Sequence, residues 1–229
     1  KLTEKPANFL QGAVLMVDHG TGEVLAHVGG RDYAQVPYDF IELGRRPLGT
    51  AFFPFIYAAG FENGMTPVSM TEDEPMDNRS VMVGGREGIL GEWGMELASP
   101  VYEGRITLRR AFEQSKIAAT VRLTDRIGLK RVVDKAVDFG FPFGKSELLP
   151  RLGVGFEEAS LKQAARAISA FPRGGTFPSE SLAYIDRVEN PKGQTVYRRP
   201  RQAAGEPRAV IDPATAWQVH SMKIGRAHV

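Results

Sequence analysis

The chain has 229 residues, of which 42% are hydrophobic and 24% charged. That is the balance of an ordinary globular domain, long enough to bury a real core. A formal net charge of +2 is too small to argue for nucleic acid or an anionic membrane surface as partner. The absence of cysteine excludes disulfides, zinc–thiolate centres and a thiol nucleophile.

The histidines, His19, His27, His220 and His228, show no close i, i+4 spacing of the kind a helical metal site uses. Neither a metal nor a cofactor is expected. No apolar run reaches the roughly 18 residues of a membrane helix, and no signal peptide is recognisable. The chain opens on Lys1 rather than methionine, so its start reads as non-native, with room for targeting segments upstream.

Residues 1–11 are a polar lead-in. Residues 12–30 predict a β-hairpin: Ala13-Val14-Leu15-Met16-Val17 as a buried apolar strand, Asp18-His19-Gly20-Thr21-Gly22 as the turn, and Glu23 to Val28 as the alternating return. Residues 31–49, with two prolines and no period, read as a loop. Residues 50–61 predict a helix that is apolar all round and therefore buried, stopped by Gly64. Pro54 fits it only in the first turn, where a missing N–H costs nothing.

Residues 66–103 lack a pattern, and the acidic run Glu72-Asp73-Glu74 within them reads as a solvated loop. Helices are expected at 108–114, at 118–127 before Gly128, and at 129–139 before Gly140. Ser160-Leu161-Lys162-Gln163 is a capping box opening a helix to about residue 170. Residues 183–197 predict a second hairpin around Asn190-Pro191-Lys192-Gly193. Asp212-Pro213 marks a last helix, with Asp as N-cap and Pro at N1.

The tail at 224–229 follows no pattern and reads as a translated sequencing adapter. The domain is therefore placed at residues 1–223, as a fragment that continues beyond Lys223. Hairpins alternating with a helix cluster give an α+β class, an antiparallel sheet with segregated helices.

The stretch with most chemical content is Gly49-Thr50-Ala51-Phe52-Phe53-Pro54. A hydroxyl at the mouth of an apolar helix is where a serine-type acyl-transfer enzyme carries its nucleophile, at the positive end of the helix. Positions i and i+3 share a face, so a base belongs at 53. The chain has Phe53, which can neither take nor hold a proton. The bland alternative for Thr50 is a helix N-cap. Gly29-Gly30-Arg31 and Gly84-Gly85-Arg86 are glycine-rich but lack a phosphate-loop lysine and its strand-to-helix context.

Several pieces together resemble the transpeptidase (penicillin-binding) domain of bifunctional class A penicillin-binding proteins. They are Gly12-Ala13-Val14 through Val28-Gly29-Gly30-Arg31-Asp32-Tyr33, Arg46-Pro47-Leu48-Gly49-Thr50 through Tyr57, and Gly104-Arg105-Ile106-Thr107-Leu108-Arg109. Ser115, Val121-Arg122-Leu123, Glu158-Ala159-Ser160-Leu161 and Gly174-Gly175 add to them. The likeness covers nearly the whole chain.

It implies a β-lactamase/transpeptidase-like fold with C-terminal strands missing. It also implies a cell-envelope protein at the outer face of the cytoplasmic membrane. An upstream glycosyltransferase domain and a membrane anchor would be carried elsewhere in the protein. The partners implied are a peptidoglycan stem peptide or a β-lactam.

The family's motifs are Ser-x-x-Lys, Ser-x-Asn and Lys-Thr-Gly. Carried over residue by residue, the first falls on Thr50 and Phe53. The second falls on Ser115-Lys116-Ile117, which keeps the hydroxyl and loses the amide. The third is absent and would lie beyond the helix that starts at Asp212. Lys116 is a conceivable substitute base, but adjacent helical side chains diverge by about 100°, which favours an exposed lysine. The resemblance therefore leads to a catalytically impaired transpeptidase-like module. The rival expectations are an active D,D-transpeptidase or carboxypeptidase using Thr50 and, more remotely, a β-lactamase-like hydrolase.

Overall fold

The computed structural model describes residues 10–81, 101–177, 182–199 and 208–225. Strand β1 (Val14–Val17) pairs antiparallel with β2 (Val24–Val28), in the register Val14↔Val28 to Val17↔Val24. The expected turn joins them: the Asp18 carboxylate accepts the Thr21 N–H at 2.8 Å. The apolar run of β1 is not buried throughout, contrary to the sequence reading. Leu15 and Val17 are half-buried, whereas Val14, Met16 and Val28 stand at least half exposed. A run of apolar residues cannot tell whether one face or two is covered.

Part of the segment read as a loop is a strand. β3 (Arg45–Pro47) pairs antiparallel with β6 (Glu158–Ser160), Arg45 opposite Ser160 and Pro47 opposite Glu158. A single 3₁₀ turn (Gly49–Phe52) then leads into α1 (Phe53–Glu62). Pro54 lies in the first turn of α1, as its missing N–H requires. Residues 53–61 are all buried, each large side chain contributing about 1.5–3 kcal/mol.

β4 (Met70–Asp73) pairs antiparallel with β5 (Gly104–Thr107). It falls in the stretch read as irregular, and Glu72-Asp73 is strand rather than loop. Gly84-Gly85-Arg86 lies outside the described residues.

The helices follow the predictions closely. They are α2 (Leu108–Glu113), α3 (Ile117–Ile127), α4 (Leu129–Asp138), α5 (Leu161–Ser169) and α6 (Pro213–Gly225). Gly64, Gly128 and Gly140 sit at positive φ past helix ends. The capping box of α5 is formed: Ser160 Oγ accepts the Gln163 N–H at 3.2 Å, and Gln163 Oε1 accepts the Ser160 N–H at 3.0 Å. Asp212 caps α6 by accepting the Thr215 N–H at 2.9 Å. α6 includes Ile224 and Gly225, the first two residues of the unpatterned tail.

The shorter strands β7 (Thr176–Phe177), β8 (Arg187–Glu189), β9 (Thr195–Arg198) and β10 (Arg208–Ala209) form the ladders β10–β7 and β8–β9. Ala183, expected in the second hairpin, instead bridges to Glu23. All ladders among the described residues are antiparallel and two-stranded, and helices pack against several of them, α3 on β4 and α5 on β1 among them. This is an α+β architecture.

The core centres on α1. Phe55 meets Phe139 and Phe141 edge-on, with ring centroids 4.9 Å apart in each case, and Phe139 stacks on Phe171 at 5.2 Å. Aromatic pairs of this kind add about 0.5–1.5 kcal/mol each beyond area burial. The mouth of α1 therefore rests on a rigid bed.

Candidate active site

The turn that carries Thr50 is fixed by backbone, not by side chains. Gly49 N–H donates to Gly155 C=O at 2.9 Å, and Leu48 N–H to Glu157 C=O at 3.3 Å. Gly155 lies at φ 72°, and a Cβ there would fall 2.1 Å from the Gly49 carbonyl oxygen. Only glycine permits this approach.

Thr50 is not an N-cap, so the bland reading of it is corrected. It lies inside the 3₁₀ turn, and neither the turn nor α1 has a side-chain cap. Its hydroxyl has no hydrogen-bond partner among the described residues, and the residue lines a cleft of about 270 Å³. The same cleft is lined by Phe53, Pro54, Ser115, Ile168 and Lys223. Thr50, Phe53 and Ser115, far apart in sequence as 50 and 115 are, thus line one cleft.

Phe53 is 2% exposed and part of the core; it lines the cleft and offers it no titratable group. Ile117 is buried in the core and does not line the cleft.

Ser115 occupies the turn between α2 and α3. It is the sole non-glycine residue at positive φ among the described residues, at 53°. Its Oγ is buried and has no hydrogen-bond partner. Two costs therefore meet at one residue: a left-handed backbone and an unsatisfied buried hydroxyl.

Lys116, expected to be exposed, is not. Its ammonium lies 2.9 Å from Asp73 Oδ2 and 3.1 Å from Glu103 Oε1, and donates to Val101 C=O at 2.9 Å. Its side chain is 15% exposed and that of Asp73 only 2%. Burial alone would lower the lysine's pKa. The hydrogen bonds to Asp73 and Glu103 outweigh it and hold the pKa above the ordinary value. A lysine so held keeps its proton and cannot serve Thr50 as a base.

Lys223 was not singled out by sequence. Burial lowers its pKa, and it has no ion pair among the described residues. Its ammonium sits 5.4 Å from the centroid of the Phe171 ring. A lone lysine at a helix end carries no local signal, and only packing brings it to this cleft. A neighbouring cleft of about 280 Å³ shares Ile168 and Lys223 and adds His19 and His220. Burial, then the nearby Lys223 and His19, lower the pKa of His220. Among the described residues no cluster of three or more metal-ligating side chains occurs.

The family model described as the penicillin binding protein transpeptidase domain matches residues 12–222. Penicillin-binding protein 1A of Neisseria flavescens is 30% identical over 216 residues, 93% of this chain and 26% of that protein. Its counterpart in Rickettsia typhi is 27% identical over 190 residues, 83% of this chain and 23% of that protein. The chain thus spans about a quarter of the length of these relatives.

Among solved structures, penicillin-binding protein 1A of Haemophilus influenzae superposes with a TM-score of 0.74 at 20% identity, over 93% of this chain and 34% of that one. The imipenem acyl-enzyme complex of penicillin-binding protein A from M. tuberculosis gives 0.71 at 18%, over 94% and 57%. At such identities these superpositions speak for the fold alone. The match of the family model across residues 12–222 identifies the chain as belonging to the penicillin-binding protein transpeptidase domain family.

Proposed function

We propose that this domain serves peptidoglycan biosynthesis as a transpeptidase-like module that binds stem peptide without forming an acyl-enzyme. One observation carries this reading: Phe53, a buried apolar residue, lines the cleft one helical turn from Thr50, where a base would be needed. A positioned general base contributes about 10²–10⁴-fold in rate, and Lys116, the other lysine beside the motifs, is held by two carboxylates. The relatives are much longer proteins. In the whole protein the module would lie beside a glycosyltransferase domain, on the outer face of the cytoplasmic membrane. Exposure of the full-length protein to a fluorescent penicillin, followed by denaturing electrophoresis, tests the reading. No covalent adduct is expected, and an adduct mapped to Thr50 overturns it.

A second reading is favoured by Lys223. It lines the same cleft, and its lowered pKa leaves more of the amine unprotonated than an ordinary lysine would have. There Thr50 Oγ attacks the carbonyl of a D-alanyl peptide while Lys223 accepts the hydroxyl proton. The peptide C–N bond then breaks, the departing D-alanine amine takes that proton, and an ester remains on Thr50. This reading requires adduct formation that disappears in both Thr50→Ala and Lys223→Ala.

A further inference from the structure

Ser115 and Lys116 are neighbours in sequence with opposite fates. Ser115 lines the cleft with its buried hydroxyl unpaired, and Lys116 is gripped on every donor. The ammonium of Lys116 has three N–H bonds to give and meets three acceptors: Asp73, Glu103 and the Val101 carbonyl. The grip is itself anchored. Asp73 Oδ2 accepts the Glu103 N–H at 3.0 Å, and Glu103 accepts from Arg110 Nε at 2.9 Å. Arg122 on α3 donates to the carbonyls of Glu72 at 3.2 Å and Glu74 at 3.0 Å, on either side of Asp73. β4, β5 and the helices α2 and α3 are thereby tied to one point.

Were only the fold at stake, glycine at 115 would serve better. It adopts φ of 53° without strain and leaves no hydroxyl unpaired. We propose that Lys116, gripped by Asp73 and Glu103, is a positioning residue that holds Ser115 in its left-handed conformation at the wall of the Thr50 cleft. The inference rests on the reading of that cleft as a ligand site. It assigns a task to an acid–base cluster outside the cleft and takes Lys116 out of proton transfer.

Two measurements on the whole protein test it. The first is the dissociation constant of fluorescent penicillin, read by anisotropy before any covalent step. Lys116→Met is expected to weaken binding by about tenfold or more, as misplacement of a contacting group does. Lys116→Arg should recover most of that loss. Ser115→Gly should lose binding to a similar extent, and adding Lys116→Met to it should cost nothing further. Glu103→Gln loosens the same grip more gently, should Lys116→Met fail to fold. Wild-type affinity in a folded Lys116→Met or Glu103→Gln variant overturns the proposal.

The second measurement needs no ligand and separates failure of the inference from failure of the cleft reading. Ser115→Gly should raise Tm in the wild-type background, where the strain is enforced. It should raise it less where Glu103→Gln has freed residue 115 to relax. Equal gains in both backgrounds would mean that the two sites act independently, and the positioning role would fall. If wild-type protein binds no penicillin but the gains are unequal, the cleft reading fails while the positioning role stands.

Discussion

Phe53 and Thr50 divide the labour of a nucleophile segment unevenly. Phe53 belongs to the core at 2% exposure, whereas the hydroxyl of Thr50 supports nothing that holds the turn. Thr50→Ala should therefore shift stability by no more than about 0.5 kcal/mol, where a true cap would lose about 1 kcal/mol. Chemical denaturation of the pair decides between them. The neighbourhood of Thr50 and Phe53 was legible because helix geometry converts spacing into proximity, whereas that of Ser115 was implied only by the family resemblance. The fate of Lys116 was not legible, because Asp73 ends β4 and Glu103 precedes β5, and the connecting sequence says nothing of the pairing that brings them together. The cap reading of Thr50 failed for a related reason. A hydroxyl at a helix mouth looks the same in sequence whether it turns toward the helix N–H groups or toward a cleft.

At the scale of elements, the helices announced themselves through apolar period, glycine stops and the Ser160–Gln163 box. Four of the five described strands of two or three residues did not, since β3, β6, β7 and β10 are too short to display alternation; β8 was found through the turn beside it. Yet β3 and β6 matter most to the site, because their ladder delivers the Thr50 turn to the segment bearing Gly155. Gly155→Ala puts a Cβ 2.1 Å from the Gly49 oxygen, with φ at 72°. It should destabilise the domain by about 1–3 kcal/mol, and any activity or binding at the Thr50 cleft should weaken with it. Comparison with Gly153→Ala, where a Cβ would meet the Val121 Cα at a milder 3.1 Å, controls for simple loss of a glycine.

Over the whole molecule, charge sets the acid limit. Hydrogen bonds from Lys162 and then Tyr184 hold the carboxyl of Glu42 below its ordinary value of 4.5 against the opposing effect of burial. Arg110 and then Lys116 do the same for Glu103. The folded pKa values therefore lie below the unfolded ones. The stabilisation is complete above the unfolded pKa and is lost as pH falls through the folded value. Tm should fall gently below about pH 6.5, where the unfolded chain protonates His220 more readily than the folded one does, and more steeply below about 4.5, where these carboxylates take up protons. Glu42→Gln should make that fall shallower, and calorimetry over the acid range measures it.

The Gly49–Gly155 contact has a bearing on history as well as on geometry. It supports the Thr50 turn through main-chain atoms, so the frame asks nothing of the side chains that would do chemistry. On the proposed reading, natural selection for the reaction can lapse at positions 50 and 53 without unfolding the domain. The path is not equally easy in reverse. A lysine restored at 53 must bring its charge into a site now built around a buried ring. The scaffold can outlive the reaction, and drift away from catalysis is easier than return.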